Sequence, residues 1–256
     1  MAKQIQDFTV QVRKQINQEY FILEIASSRP LPVILPGQFA EVHTGACSGA
    51  FLRRPISFYD VDYESNEIRL LIAVVGRGTA ALSKLKTGDN LNMIYPLGNH
   101  FSMPQTAKAL LVGGGVGVAP LLLLGKYLRQ HNIMPTFLLG YRNGSYNVEP
   151  DHFSAIGTLH ITTEDGSLGF RGLVTDHPLL SEGIGEYGTI YTCGPVVMMK
   201  AVSEIAARAG VNCEASLENT MACGFGACLC CAQATKHGHL MVCTDGPVFN
   251  TADLIW

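Results

Sequence analysis

Five of the eight cysteines fall within the last 34 residues: Cys223, Cys228, Cys230, Cys231 and Cys243. Cys223-x4-Cys228-x2-Cys231, with Cys243 further on, has the plant-type [2Fe–2S] spacing, in which a tight loop offers three thiolates and a distant residue the fourth. Gly224 and Gly226 suit such a loop, because its N–H groups must turn toward sulfur and side chains would obstruct them. Zinc is the competing reading, but zinc sites favour paired C-x2-C units or Cys/His mixtures. A Rieske centre would need two His ligands. His237 and His239 lie nearby, yet four cysteines already complete the set. Buried structural cysteines are the plain alternative. Cys230 is an alternative third ligand, but its distance from Cys228 departs from the pattern, and Cys231 is preferred.

A second signal is Leu111-Val112-Gly113-Gly114-Gly115-Val116-Gly117-Val118-Ala119-Pro120, which joins an apolar strand to a helix. Glycines let backbone approach a pyrophosphate, and the helix N-terminus favours its charge. A glycine run alone is weak evidence, since tight turns need glycine too; the strand–turn–helix setting is what gives it weight. A third signal is Arg53-Arg54-Pro55-Ile56-Ser57. An Arg pair before a strand is most often a solvated edge, but Arg54 could pair with a phosphate and Ser57 could hydrogen-bond a flavin ring. The fourth is Val75-Gly76-Arg77-Gly78-Thr79 before a short helix. It is either a plain turn or a second pyrophosphate site. No Ser/His/Asp triad and no paired catalytic carboxylates stand out, so no acid–base catalytic residue is assigned.

These residues need elements to hold them. The 256 residues are 47% apolar and 15% charged, enough for a sizeable core and unlike a disordered chain. A net charge of −3 without clustered Lys or Arg argues against a nucleic-acid binder. The uncharged run Ala109–Gly125 is short and glycine-broken for a membrane span and reads as strand, turn and helix. Met1–Phe8 has no signal-peptide core, so a cytoplasmic location is expected, where cysteines serve metal or redox chemistry rather than disulfides. Short β-rich runs at Phe8–Val12, Tyr20–Ile25, Phe39–Val42, Ile56–Asp60 and Ile68–Val75 predict an antiparallel barrel, with a short helix at Thr79–Leu85. Strands at Ala109–Val112, Thr136–Tyr141, Thr158–Thr163 and Thr189–Cys193 alternate with helices at Pro120–His131 and Pro195–Ala209, which predicts a parallel, doubly wound sheet. The expected fold class is therefore α+β multidomain. Residues 1–102 form an antiparallel β-barrel flavin domain, 103–212 a parallel α/β nucleotide-binding domain, and 213–256 a small C-terminal [2Fe–2S] module.

Together the four signals resemble the ferredoxin reductase-like flavoproteins, and within them the electron-transfer subunits of dihydroorotate dehydrogenase B. The resemblance covers essentially the whole chain. Arg54-Pro55-Ile56-Ser57 is similar to that family's flavin motif, Leu71-Ile72-Ala73 to the strand lining the flavin, and Gly78-Thr79 to its pyrophosphate turn. Gly113, Gly114, Gly115 and Gly117, with Cys193-Gly194-Pro195, resemble its nicotinamide half. The most specific likeness is Glu218-x2-Met221-x-Cys223-Gly224-x-Gly226-x-Cys228 and Val242-Cys243-Thr244-Asp245-Gly246-Pro247-Val248-Phe249. The paired Cys230-Cys231 departs from the usual loop.

The resemblance implies FAD, NAD and a [2Fe–2S] cluster held by Cys223, Cys228, Cys231 and Cys243. It implies electrons passing from the FMN of a catalytic subunit through cluster and FAD to NAD+ in pyrimidine biosynthesis, within a two-plus-two heterotetramer. The chemistry is consistent: nicotinamide exchanges electron pairs, a cluster single electrons, and a flavin can do both. The alternative is the small subunit of a ferredoxin–NADP transhydrogenase or sulfide dehydrogenase. A non-catalytic iron–sulfur scaffold, which would lack flavin and NADH oxidation, is the reading from another class. Cys193 is either near the nicotinamide and flavin rings or a small buried strand-end residue. Glu164-Asp165-Gly166 after a strand favours NAD over NADP, as carboxylates suit a free 2′-hydroxyl and no Arg pair adjoins them; a solvated acidic turn is the alternative. The apolar tail from Val248-Phe249 to Leu254-Ile255-Trp256 is expected against a partner, or packed on the chain itself.

Overall fold

The computed structural model describes residues 3–45 and 50–256, so Cys47 lies outside the described residues. The first half holds β1 (Gln4–Gln15), β2 (Tyr20–Ala26), β3 (Phe39–Val42), β4 (Arg54–Ser57), β5 (Asp60–Asp62), β6 (Glu67–Ala73), the short helix α1 (Arg77–Leu82) and β7 (Asn90–Leu97). Its strands form one antiparallel sheet in the order β4-β3-β7-β1-β2-β6-β5. The sheet curls until β4 lies beside β6 without joining its ladder. Phe8, Val10, Phe21, Leu23, Ile25, Leu70, Met93 and Tyr95 fill the inside.

The second half runs β8 (Lys108–Gly114), α2 (Ala119–Gln130), β9 (Met134–Tyr141), α3 (Pro150–Ser154), β10 (Thr158–Thr163), β11 (Phe170–Arg171), β12 (Thr189–Cys193), α4 (Val196–Ala209), β13 (Asn212–Ser216), β14 (Ala232–Thr235), β15 (Gly238–Met241) and β16 (Val248–Asn250). Seven of these strands form a sheet ordered β11-β10-β9-β8-β12-β13-β16, parallel except for its last strand. The chain leaves β8 toward β9 and later returns on its other side as β12. That reversal opens a crevice beyond Gly114 and Cys193, where open α/β sheets take ligands. Pro120 sits in the first turn of α2, and Gly210, in the left-handed region at φ 69°, ends α4. Gly117 is fixed by packing: a Cβ there would stand 2.5 Å from the Gly194 Cα and 2.6 Å from the Cys193 carbonyl.

The cysteine-rich segment is rooted in this sheet, since β13 and β16 bracket it and only the β14–β15 hairpin is its own. Phe249 and Leu254 are buried in a core with Phe39, Leu97, Met221, Cys231 and Cys243, Trp256 packs partly against it, and Val248 is buried in the core between barrel and sheet. This corrects the expectation that the tail is reserved for a partner, because pairing of β16 with β13 turns it inward; of that tail Ile255 is exposed. Another core joins barrel residues Tyr20, Ile22, Tyr59 and Leu71 to Leu111, Leu121, Leu122, Phe137 and Phe153. A polar seam runs beside it. The Glu149 carboxylate accepts from the Arg69 guanidinium at 2.8 and 2.9 Å, from Lys14 Nζ at 2.8 Å and from the Tyr59 hydroxyl at 3.1 Å. Among the described residues no helix is long and apolar enough to cross a membrane.

Candidate functional site

The first cleft, about 330 Å³, opens between the two halves. Arg54, Pro55, Ile56 and Ser57 of β4 and Leu71, Ile72 and Ala73 of β6 form its barrel wall, with Thr79 at one end. Val116 and Ala119 close it from the glycine turn, and Ser216 through Met221 and Pro247 close it from the cysteine-rich side. Gly78 lies behind the lining and permits close approach, since a Cβ there would fall 2.5 Å from Arg54 Nε. Thr79 acts on its own turn: its hydroxyl accepts from the N–H groups of Val75 and Gly76 at 3.0 and 3.2 Å. The cleft is long, apolar along its floor and edged by a guanidinium, which suits a flavin nucleotide. Glu218 lines the cleft with its side chain exposed.

The second cavity, about 460 Å³, lies on the other side of the glycine turn. Gly114, Gly115 and Pro195 line it together with Met198 of α4, Arg142 and Tyr146 after β9, and Glu164 after β10. Gly113, Gly117, Cys193 and Gly194 lie behind this surface. Gly113 is closed in by Leu121, Val118 and Leu139. Cys193 is fully buried, and burial pushes its thiol well up. Its neighbours there include Ser216, a residue of the flavin-type cleft. Asp165 points back to Ser167, accepting its N–H at 2.9 Å and its hydroxyl at 2.6 Å. Glu164 is the carboxylate that faces the cavity, and a single arginine, Arg142, lines the cavity with it.

The four expected cluster ligands come together as two pairs. Cys223 and Cys228 interact through their side chains, and Cys231 lies against Cys243, whose N–H donates to Cys231 Sγ at 3.4 Å. Among the described residues no three such side chains converge as they would around one ion. Two thiolate pairs are instead the donor set of a binuclear cluster. Backbone N–H groups already face the sulfurs: Phe225 toward Cys223 at 3.5 Å and Gly226 toward Cys243 at 3.2 Å. Gly224 and Gly226, at φ 75° and 85°, make that turn possible. Burial pushes the Cys223 thiol up, but N–H groups of Phe225, Cys228 and Ala227 and the Cys228 side chain outweigh it and bring it down to about 6. The loop therefore readily presents a thiolate, the form that binds iron. These residues fit a [2Fe–2S] group. Cys230 is exposed, whereas Cys231 is buried.

Sequence reasoning passes over Glu41. It is fully buried beneath the cluster loop, and a Cβ on Gly224 would stand 2.5 Å from its Cγ. Neither carboxylate oxygen has a partner, and burial pushes the group up to about 7. An acidic residue inside the apolar strand Phe39–Val42 was the available signal.

Residues 218–255 match the family model described as the iron–sulfur cluster binding domain of dihydroorotate dehydrogenase B. The whole chain is 35% identical to the dihydroorotate dehydrogenase B (NAD(+)) electron transfer subunit of Fusobacterium nucleatum, over 98% of each chain. That of Caldanaerobacter subterraneus is 41% identical, over 86% of this chain and 87% of its own. The chain belongs to this family of electron transfer subunits. Among solved structures it is similar to one of the NADH-dependent reduced ferredoxin-NADP oxidoreductase, with a TM-score of 0.87 and 30% identity over 97% of this chain and 90% of that one. The ferredoxin reductase in carbazole 1,9a-dioxygenase, at 21% identity and a TM-score of 0.72 over 82% of this chain and 67% of that one, shares the fold. This chain thus carries the reductase fold, barrel plus parallel sheet, with an iron–sulfur module at the C-terminal end. The curated relatives carry the dihydroorotate dehydrogenase B name, and the transhydrogenase-type alternative is not favoured.

Proposed function

We propose that this chain carries electrons between NAD(H) and the FMN of a dihydroorotate dehydrogenase catalytic subunit, in pyrimidine biosynthesis, through FAD in the first cleft and the cluster at the cysteine loop. The observation that supports it best is that a single cleft is walled by the barrel, by the glycine turn and by the segment leading into the cysteine loop. FAD, when bound, exchanges a hydride with NAD(H) and single electrons with the cluster. The protein's part is placement. Arg54 would balance the flavin nucleotide's phosphate charge, and Ser57 would offer its hydroxyl to the bound flavin. Leu71, Ile72 and Ala73 exclude water along one edge. Gly114 and Gly115 admit the nicotinamide nucleotide's pyrophosphate, with Pro195 and Met198 beside it. Cys223 and Cys228 would hold one iron, Cys231 and Cys243 the other. Cys193, behind Ser216, serves packing in this reading.

The division into a barrel to residue 102, a nucleotide domain to 212 and a cluster module beyond belongs to the same proposal. The partner covers the cluster loop, where Phe225 and Leu229 stand exposed at 50% and 63%. A two-plus-two assembly follows from the commonness of closed twofold symmetry. Purified chain should show flavin and cluster absorption and oxidise NADH with an artificial acceptor. It should show dihydroorotate:NAD activity only after the FMN-containing subunit is added. Dihydroorotate-dependent NAD reduction by the chain alone would refute the reading.

A further inference from the structure

The second cavity contains both signs of charge at its far end. Thr163 of β10 pairs with Tyr141 of β9, so the residues that follow, Glu164 and Arg142, are neighbours at two adjacent strand ends. Both line the cavity, and Arg142 is the one cation among its lining residues. A dinucleotide laid from Gly114-Gly115 at the end of β8 across β9 and β10 brings its adenosine ribose to this pair. An unoccupied arginine there would receive a 2′-phosphate, and the carboxylate would repel one.

Arg142 is occupied by the other domain. Its Nη2 donates to Glu19 Oε2 at 2.6 Å, and its guanidinium lies 4.4 Å from the centroid of the Tyr146 ring. The Tyr146 hydroxyl donates to the other Glu19 oxygen at 2.9 Å, so one carboxylate holds both groups. Glu19 is itself anchored: its N–H donates to Asn17 Oδ1 at 2.8 Å, and its carbonyl accepts from Val74 N at 2.8 Å. Tyr20, the next residue, enters the cavity wall and meets Tyr146 edge-on at 5.5 Å. Such a set, ion pair plus ring stacking plus a shared acceptor, holds the guanidinium more firmly than an isolated surface pair.

We propose that Glu19, a barrel residue outside the nucleotide domain, is a specificity-determining residue for NAD over NADP. It neutralises Arg142 and leaves Glu164 to meet a free 2′-hydroxyl. The inference rests on reading this cavity as the NAD site. Glu19→Gln keeps the shape and the acceptor oxygen but removes the charge.

Calorimetric titration of the flavin- and cluster-loaded protein with 5′-AMP and with adenosine 2′,5′-bisphosphate tests it. In Glu19→Gln the affinity for the bisphosphate relative to AMP rises roughly fivefold at low salt, and less at high salt. The double variant Glu19→Gln with Arg142→Ala loses that gain. The ratio of kcat/KM for NADPH over NADH moves in the same sense. If AMP binds wild type and variant alike and the ratio stays fixed, Glu19 has no such role while the site reading survives. A gain that persists without Arg142 overturns the inference too. If neither probe binds any of the proteins, the site reading falls and the inference with it.

Discussion

Cys230 and Cys231 are sequence neighbours with opposite surroundings. One thiol points to solvent, and the other sits in a core beside Cys243. Spacing alone could only prefer Cys231; its contact with Cys243 supports that preference, because a ligand must face its companions. Serine substitution at Cys223, Cys228, Cys231 or Cys243 should each cost bound iron and sulfide, while Cys230→Ser keeps both in full. Iron and sulfide analysis checks this, and a full cluster in Cys243→Ser would remove that residue from the set. The proposed ligand and flavin residues could be picked out because their chemistry repeats in sequence: thiols at fixed spacing, an Arg-Pro-x-Ser run. Arg142, Tyr146 and Glu19 were not. They are ordinary residues on separate segments, and only the packing of barrel on sheet makes them a group.

At the scale of elements, alternating strands and helices of the second half were readable because β8 holds a continuous apolar run, β9, β10 and β12 are rich in β-branched or aromatic residues, and α2 and α4 have a start or stop signal. Pattern reading passes over β7, although Leu91, Met93, Tyr95 and Leu97 alternate inward in it. Asn90, Asn92 and Pro96 disguise the pattern, and the strand's central place between β3 and β1 comes from non-local pairing. The β14–β15 hairpin is equally hidden, with glycine and histidine where β-formers would be looked for. The glycine run, in contrast, has a mechanical role beyond phosphate approach. Gly117→Ala would push a methyl into the backbone of Cys193 and Gly194, which cannot swing aside as a side chain can. The start of α2 must shift, at a cost of about 2 kcal/mol or more. Urea unfolding should record the loss. KM for NADH should rise as well, since the same displacement moves Gly115.

For the whole molecule, the seam at Glu149 ties barrel to sheet. Burial favours its neutral form, but Lys14 and Arg69 outweigh that and hold the carboxyl below its ordinary value. A depressed carboxyl contributes stability that is present above the unfolded-state value and lost as pH falls through the folded one. Glu149→Gln should therefore be about 1 kcal/mol less stable near neutrality, as Arg69 loses one carboxylate and keeps Glu24 at 3.1 Å, and its stability should fall less than wild type toward about pH 3. Chemical unfolding at both pH values checks the sign; parallel profiles for the two proteins would discard the clamp. The cores shared between the barrel, the parallel sheet and the cysteine-rich segment set the spacing between the two clefts and the cysteine loop by packing. The core around Cys231 and Cys243 has one more implication, for the chain's lifetime. Cys231 and Cys243, proposed to take iron, are also packing residues among Leu217, Met221, Val242 and Phe249. Failure to acquire iron leaves that corner without its cross-link, and metal ligation of this kind doubles as folding energy. Iron-free protein should therefore be cut by protease first within residues 218–255, and restoring iron should slow that cut.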